Sequence, residues 1–227
     1  MELTASEIYK KLIEANIINA TGCITMKLLN VRFNLNAKSA IGNILEEWFF
    51  HWMNENNIYC RPNLNSQEPP DFYLSEDNKK NLLEVKAFDA TTAANFDISN
   101  FDTYIRALTI NSYKLDSDYM IFGYELINGE LKVRNVWLKK VWEICTSSEQ
   151  YPIRAQVKQG KIVNIRPANW ESSNVKYRTF ETKKDFIIAL EKTIKMYPSL
   201  SKEIDKKTWL QTVTNNYKEQ TGIDLFD

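Results

Sequence analysis

The sequence contains few of the residues that several enzyme classes require. Its 227 residues include one histidine, His51, and three cysteines, at positions 23, 60 and 145, without a CxxC or Cys/His spacing. These counts disfavour a histidine metal site, a Ser-His-Asp triad, a zinc site and a disulfide framework. The six glycines are scattered and form no phosphate-binding loop, which disfavours nucleotide-driven catalysis.

Two further absences concern membranes and net charge. No long apolar run is present, and Lys and Glu are spread through the N-terminal segment, so we expect neither a membrane span nor a signal peptide. Together with the unpaired cysteines, this predicts a cytoplasmic protein. The 29 Lys and Arg balance the 29 Asp and Glu. That balance disfavours a non-specific coat on nucleic acid, but hardly disfavours a nuclease whose acids are concentrated at a metal site.

The length and the order of the patterns predict one domain over residues 1–227, with helical N- and C-terminal segments. With 44% hydrophobic residues, the chain can bury a substantial core. Strand patterns cluster between residues 70 and 125, and residues 25–35 alternate as a strand or a hairpin arm. The predicted class is α/β or α+β, with a central mixed β-sheet flanked by helices.

A strong helix is predicted for the segment SAIGNILEEWFFHWMNENN, which begins at Ser39. Ser39 is a suitable capping residue for its N-terminus. Apolar residues recur on one face at helical spacing: Ile41, Ile44, Leu45, Trp48 and Trp52.

The segment EPPDFYLSEDNKKNLLEVKAF, residues 68–88, places charged residues in what otherwise has the pattern of a buried strand. Side chains alternate along a strand, so Glu84 and Lys86 share one face while their apolar neighbours share the other. The polar stretch SEDNKK predicts a hairpin turn between two strands. Such a hairpin can bring Asp71, which begins the first strand, beside Glu84.

Asp71, Glu84 and Lys86 have the chemistry that phosphodiester hydrolysis needs. Two unpaired carboxylates repel each other, and a hard divalent cation such as Mg²⁺ relieves the repulsion while it keeps water and substrate phosphates as ligands. A neighbouring lysine can orient the attacking hydroxide or stabilise charge on a phosphate oxygen. An exposed strand carries similar charges for solubility alone, so the spacing by itself leaves both interpretations open.

These residues resemble the PD-(D/E)XK nuclease superfamily, in particular type II restriction endonucleases. Further stretches extend the resemblance to the NgoBV/NlaIV type of restriction enzyme over roughly residues 1–180: IGNILEEWF, PPDFYL, LLEVKAF, FDISNFDTY, DYMIFGYE, VWLKKVWEI and IRP. The resemblance implies a restriction-endonuclease-like core in which Asp71, Glu84 and Val85 bind Mg²⁺ and Lys86 serves catalysis.

The resemblance also implies a further acid from the upstream helix, either Glu46 or Glu47. Both flank the apolar face of the helix, so the helical phase does not decide between them. We favour Glu47, which lies further from the apolar stripe. A solvated surface acid is an equally good interpretation of this residue.

Two polar segments are candidates for contact with DNA. The stretch NIRPANWESSNVKYR supplies side chains suited to base edges and phosphates: Arg166, Asn169, Asn174, Lys176 and Arg178. The stretch DATTAAN, directly after the strand with Glu84 and Lys86, supplies Thr91, Thr92 and Asn95. Lys139 and Lys140 could contact phosphates or only solvate a helix. The first segment could equally be an ordinary exposed loop.

The sequence therefore predicts a Mg²⁺-dependent type II restriction endonuclease acting on double-stranded DNA. Palindromic sites suit a two-fold protein in which each subunit cuts one strand, which predicts a homodimer. The resemblance implies a site of the form GGNNCC and, since a host must protect its own sites, a cognate DNA methyltransferase as functional partner. Two alternatives stay open: a structure- or damage-specific nuclease of the same superfamily, and a non-catalytic DNA-binding protein that retains the fold.

Overall fold

A mixed β-sheet with helices on both sides forms the centre of the molecule. The computed structural model describes residues 1–65, 68–197, 200 and 204–226. The helices are α1 (Ala5–Glu14), α2 (Ile41–Glu55), α3 (Phe101–Ile110), α4 (Val141–Ile144), α5 (Lys183–Met196) and α6 (Trp209–Thr221). The strands are β1 (Thr21–Cys23), β2 (Thr25–Leu28), β3 (Val31–Asn34), β4 (Arg61–Pro62), β5 (Phe72–Tyr73), β6 (Leu82–Asp89), β7 (Ser99–Asn100), β8 (Asp118–Ile127), β9 (Glu130–Lys140), β10 (Ala155–Lys158) and β11 (Lys161–Ile165). Short 3-10 helices occupy Lys38–Ala40 and Ser112–Asp116.

The main sheet has the spatial strand order β1-β9-β8-β6-β5-β4. Strands β6 and β8 are parallel, with Glu84 opposite Tyr119 and Lys86 opposite Ile121, and the other neighbouring strands are antiparallel. Strands β10, β11 and β7 form a smaller sheet, and β2 and β3 form a separate hairpin. The predicted fold class, a mixed sheet flanked by helices, is confirmed.

Strand β6 sends alternate side chains into two different cores. Leu83 and Val85 are buried in the cluster formed with α1 and α2. Phe88 is buried in the second cluster, formed with α3, α5 and α6, and by alternation Glu84 and Lys86 lie on the same face as Phe88. The charged pair therefore belongs to a strand that is covered on both faces, and neither charge is simply a solvated surface group.

Helix α2 buries a different stripe from the predicted one. The buried residues, spaced four apart, are Ile41, Leu45, Phe49 and Met53. Trp48 is 37% exposed, and its ring is perpendicular to that of Phe122, with ring centroids 6.2 Å apart. The expected cap at Ser39 is also corrected, because Ser39 belongs to the preceding 3-10 helix and α2 begins at Ile41 without a side-chain cap. The stripe is therefore rotated about the helix axis relative to the prediction.

The remaining elements follow the predicted order with shifts at their ends. Residues 25–35 form both arms of a hairpin, and not the single strand or hairpin arm that was expected, because the chain reverses between Leu28 and Val31. The Asn128–Gly129 turn joins β8 to β9 with positive φ at both positions. Helix α3 begins at Phe101, where Asn100 caps it, and not at Ser99, which pairs with Ile165 in the small sheet. Within the residues described, no helix has both the length and the apolar character needed to cross a membrane.

Candidate active site

Asp71 reaches strand β6 from the start of a short neighbouring strand. It lies directly before β5, whose Phe72 pairs with Leu83 of β6. The Oδ2 atom of Asp71 accepts a hydrogen bond of 2.7 Å from the backbone N–H of Val85. This bond holds the Asp71 carboxylate beside β6, at the position between Glu84 and Lys86.

Glu84 and Lys86 form an ion pair in which Lys86 Nζ lies 2.6 Å from Glu84 Oε1. Their side chains are only 6% and 20% exposed, respectively. The second carboxylate oxygen, Glu84 Oε2, is buried and has no hydrogen-bond partner among the described residues. A buried carboxylate oxygen without a donor is energetically costly, so this atom is suited to a further cation or a water molecule.

Burial and mutual repulsion raise the pKa values of the acids. Burial is the main reason that the pKa of Glu84 rises to about 7; Lys86 opposes the rise, while Asp71 and Glu46 add to it. Burial also raises the pKa of Asp71, against the opposing effects of Lys86 and of the Val85 hydrogen bond. Burial alone would lower the pKa of Lys86, but Glu84, Asp71 and Glu46 outweigh it and raise that pKa. Lys86 therefore stays protonated at neutral pH.

Glu46, rather than Glu47, is the α2 acid that interacts with Asp71 and Lys86. Burial and the Asp71 charge raise the pKa of Glu46 to about 7, and Lys86 opposes the rise. Glu47 is 77% exposed and lies 3.9 Å from His51, one helical turn further along. The structure thus reverses the preference for Glu47. Because the buried stripe of α2 runs through residues 41, 45, 49 and 53, Glu46 lies at its edge and Glu47 lies opposite.

An open cleft of about 540 Å³ lies beside these acids, and Glu46, Glu47 and Asp71 are all part of its lining. Asn63 lines the same cleft, and its Nδ2 atom donates hydrogen bonds of 2.9 Å to the carbonyl oxygens of Glu68 and Pro70. Asn63 thereby fixes the segment that leads into Asp71. The sequence analysis did not select Asn63, since its role depends on hydrogen bonds to residues five and seven positions further along the chain.

The donor set fits a divalent cation that keeps several water ligands. Among the described residues, no three His, Cys, Asp or Glu side chains are grouped as a complete metal cage. Asp71 and Glu84 nevertheless offer two carboxylates, one of which has the unpartnered oxygen Oε2. Val85 offers only its backbone carbonyl, on the same edge of β6 as the N–H that binds Asp71. Mg²⁺ suits such a set, because it is usually bound by one or two carboxylates and keeps water.

An aromatic cluster packs two candidate DNA-contacting segments against strand β6. Phe88 of β6 stacks on Trp137 of β9 with ring centroids 5.6 Å apart, and Trp170 lies edge-on to Phe88 at 5.9 Å and to Trp137 at 5.7 Å. Phe96 contacts both Phe88 and Trp170. Gly123 leaves room for the Trp137 ring, which would lie 2.9 Å from a Cβ at that position. The chain around residues 96 and 170 is therefore anchored to the strand that carries Lys86.

Several of the residues selected for DNA contact are engaged within the protein. Arg166 donates a 2.5 Å hydrogen bond to the carbonyl oxygen of Asn95 and forms an ion pair with Asp97, which joins the two predicted segments to each other. Both Thr91 and Thr92 donate hydrogen bonds to Asp89: Thr91 to its carboxylate and Thr92 to its carbonyl. Lys176 forms an ion pair with Glu149, and Lys140 forms one with Asp118 at 2.8 Å.

The remaining selected residues are more accessible. Asn174 and Arg178 are exposed, and Asn169 is half-buried. Lys139 lies 3.8 Å from Glu143 and keeps part of its side chain in solvent. Of the segment NIRPANWESSNVKYR, it is therefore the part after Trp170 that keeps side chains available to a ligand.

A mixed sheet flanked by helices, with an aspartate and a Glu-x-Lys pair at one edge of its central strands, defines a nuclease core of the restriction-endonuclease type. The chain belongs to the NgoBV restriction endonuclease family, whose model matches residues 2–227. It is 37% identical over 223 residues to the type II restriction enzyme NlaIV of Neisseria lactamica, covering 96% of this chain and 91% of that protein. It is 35% identical over 162 residues to the type II restriction enzyme NgoBV of Neisseria gonorrhoeae, covering 70% of this chain and 92% of that protein.

The solved structure of NlaIV restriction endonuclease has the same fold. It matches with a TM-score of 0.92 and 36% sequence identity, covering 99% of this chain and 92% of that chain. The resemblance to restriction enzymes that the sequence analysis found on short motifs is thus confirmed along nearly the whole chain.

Proposed function

We propose that this protein is a Mg²⁺-dependent type II restriction endonuclease that hydrolyses phosphodiester bonds of double-stranded DNA at a short palindrome of the form GGNNCC. The observation that carries the proposal is the convergence of Asp71, Glu84 and Lys86 beside the cleft that Asp71 lines, within a chain of a restriction endonuclease family. The protein acts as a cytoplasmic homodimer, with one active site for each strand of the palindrome. A DNA methyltransferase of the same specificity protects the host.

Each group at the cleft has its own role in this proposal. Asp71, Glu84 and the carbonyl oxygen of Val85 would hold Mg²⁺, which supplies polarisation of the phosphate and activation of water when it is bound. Lys86, kept protonated by the surrounding carboxylates, stabilises negative charge that develops on a phosphate oxygen. Glu46 adds to the negative potential around Lys86 and lies on the open side, where the substrate approaches.

Incubation of plasmid DNA with the protein and Mg²⁺, followed by sequencing of the ends, tests the proposal. We expect discrete fragments whose ends all lie at one palindrome. Ends scattered over many sequences, or confined to branched or damaged DNA, would instead support a structure- or damage-specific nuclease. Specific binding without cleavage under any divalent cation would support a DNA-binding protein that retains only the fold.

A matched pair of lysine variants assigns the activity to this site. Lys86→Ala is expected to abolish cleavage while it leaves specific binding in Ca²⁺, which occupies such sites but supports the chemistry poorly. Lys79→Ala removes an exposed lysine from the turn between β5 and β6 and serves as the control. If both variants cut DNA as the unmodified protein does, the cleft at Asp71 is not the active site.

A further inference from the structure

The β2–β3 hairpin pairs with no other strand of the described structure, and all eight of its strand residues are exposed. An isolated two-stranded hairpin is marginally stable in water, and its stability usually comes from packing on one face. Asn34 lies against Gly129 in the β8–β9 turn, where a Cβ would be 2.7 Å from that of Asn34, but none of the strand residues of the hairpin is buried by the rest of the described chain. The hairpin is therefore a surface element that an external partner could stabilise.

The register of the hairpin separates its side chains into a polar and an apolar face. Met26 lies opposite Phe33 and Leu28 opposite Val31 on the apolar face. On the other face, Lys27 lies directly opposite Arg32. The next pair, Thr25 and Asn34, is linked by a 3.0 Å side-chain hydrogen bond.

The pairing of Lys27 with Arg32 is unfavourable without an anion. Like charges directly opposite each other on neighbouring strands destabilise a sheet, since their Cβ atoms are only about 5 Å apart. Neither cation forms an ion pair with any residue in the part of the chain described here. An anionic ligand on this face would turn the repulsion into a stabilising contact.

The chain that follows the hairpin is tied to the C-terminal end of strand β6. Lys38, just beyond β3, forms an ion pair with Asp89, and the hydroxyl of Tyr124 donates a 3.1 Å hydrogen bond to the Lys38 carbonyl. Asp89 is three residues beyond Lys86, which corresponds to about 10 Å along a strand. A duplex in the cleft extends well beyond that distance, because its helix axis advances about 34 Å per turn.

We propose that Lys27 and Arg32 bind the phosphate backbone of the DNA on the flank of the cleavage site. This inference rests on the proposed function, and it adds a second contact surface outside the cleft. Adjacent phosphates present closely spaced negative charges, which match two cations on one face of a hairpin. A second copy of the chain does not suit this face, because a two-fold contact would bring four positive charges together.

Salt dependence of DNA binding tests this contact. The double variant Lys27→Ala/Arg32→Ala removes both cations from exposed positions and leaves the cleft unchanged. The matched control, Lys10→Ala/Lys11→Ala, removes two exposed lysines from α1. Binding is measured by fluorescence anisotropy with an intact labelled duplex that contains the recognition palindrome, in Ca²⁺ and at 50–200 mM NaCl. The measurement gives, for each protein, the slope of the logarithm of the association constant against the logarithm of the salt concentration.

Each lost phosphate contact lowers the steepness of that slope by about 0.9, so the double variant should be flatter by about 1.8 per subunit. Across this fourfold salt range, the unmodified protein should lose about tenfold more affinity per subunit than the double variant, which is on the order of a hundredfold for the proposed dimer. The control should keep the original slope, and cleavage by the double variant should stay confined to the same palindrome.

Three outcomes would overturn the inference. The first is an unchanged slope in the double variant, and the second is an equal flattening in the control, which would reflect net charge alone. The third is a change of the monomer–dimer distribution in sedimentation without a change of slope, which would make the hairpin a contact between copies. If the unmodified protein does not bind the duplex at all, it is the proposed function that fails.

Discussion

Strand β6 and segment 166–178 both carry charged side chains that the sequence analysis selected as functional. The two regions differ in how far these side chains are buried and in what they contact. In β6, the buried Glu84 and the partly buried Lys86 contact each other, and Asp71 is bound to the backbone between them. In segment 166–178, Arg166 and Lys176 form ion pairs with acids at the surface, while Arg178 is exposed.

This difference in burial separates the charges predicted to serve catalysis from those predicted to contact DNA. Buried charges that repel each other lower the stability of the protein unless a ligand is bound, so their presence in a covered strand indicates a binding site. Surface ion pairs cost little and contribute little, so they give no such indication. The buried charges of β6 therefore mark a candidate site, whereas the surface ion pairs of segment 166–178 mark none.

Among substitutions in the two regions, that of Lys86 is expected to lower the rate of DNA cleavage most. Removal of one group that stabilises transition-state charge typically lowers the rate by about 10²- to 10³-fold, and Lys86→Ala should reduce single-turnover cleavage by at least that factor. Arg178→Ala should leave the rate of cleavage at saturating enzyme nearly unchanged. Quenched-flow measurement of both variants makes the comparison, and equal losses would show that the two regions are not functionally distinct.

The next effect separates Glu46 from its neighbour on α2. Because Glu46 interacts with Asp71 and Lys86 while Glu47 points to solvent, Glu46→Gln should lower the cleavage rate by about 10- to 100-fold, as expected for a residue that supports a metal site. Glu47→Gln should stay within twofold of the unmodified protein. A titration of Mg²⁺ for each variant distinguishes weaker metal binding from a slower chemical step. A larger loss in Glu47→Gln would restore the original choice of the sequence analysis.

The fold class and the convergence of Asp71, Glu84 and Lys86 could be predicted because their signals are local. The alternation around Glu84 and Lys86, and the polar turn that precedes them, are enough to predict two paired strands. The position of Asp71 then follows from the hairpin. The mixed sheet and α2 were predictable for the same reason. The alternation of residues 25–35 predicted extended chain, but not the reversal that makes this segment both arms of a hairpin.

The choice of helix acid and the state of the DNA-contacting residues depend on tertiary contacts. Trp48 and Phe49 are both apolar, and only the packing of α2 on the sheet decides that Phe49 is buried and Trp48 partly exposed. That rotation moves Glu46, and not Glu47, to the edge of the site. Arg166 meets Asp97 across 69 residues of sequence, so no local pattern could show that it is engaged.

A smaller effect concerns stability and pH in the absence of metal. The folded-state pKa of Glu84 is raised to about 7 from its ordinary value of 4.5, so folding favours its protonated form. The corresponding stability is complete below pH 4.5 and is lost as the pH rises through 7. In EDTA, Tm should therefore fall between pH 5 and pH 8, and Glu84→Gln, which cannot ionise, should fall less.

Added Mg²⁺ should reverse this loss at pH 8 in the unmodified protein, because the metal binds the ionised carboxylates. Glu84→Gln should gain less from Mg²⁺. Thermal melts of both proteins at several pH values, with EDTA or Mg²⁺, provide the measurement. Parallel Tm curves for the two proteins would mean that the burial of Glu84 does not destabilise the ionised form.

The smallest expected effect tests whether Arg166 is a structural residue. Arg166→Met keeps much of the aliphatic stem but removes the hydrogen bond to Asn95 and the ion pair with Asp97. Because Asp97 is 48% exposed, solvent screens the ion pair, and we expect the free energy of unfolding to fall by only about 1 kcal/mol. Arg178→Met makes the same chemical change at an exposed position and should stay within about 0.5 kcal/mol.

For discrimination between DNA sequences, the expected order is reversed: the larger effect should come from Arg178→Met and the smaller from Arg166→Met. If Arg166 works by holding the segment around Asn95, Arg166→Met should weaken binding to cognate and altered palindromes alike. If Arg178 reads a base, Arg178→Met should narrow the difference in affinity between them, by about 1–3 kcal/mol for a bidentate contact. Chemical denaturation and binding to both duplexes, measured on the same preparations, decide each case. A loss of discrimination in Arg166→Met without loss of stability would assign base reading to Arg166 and remove its structural role.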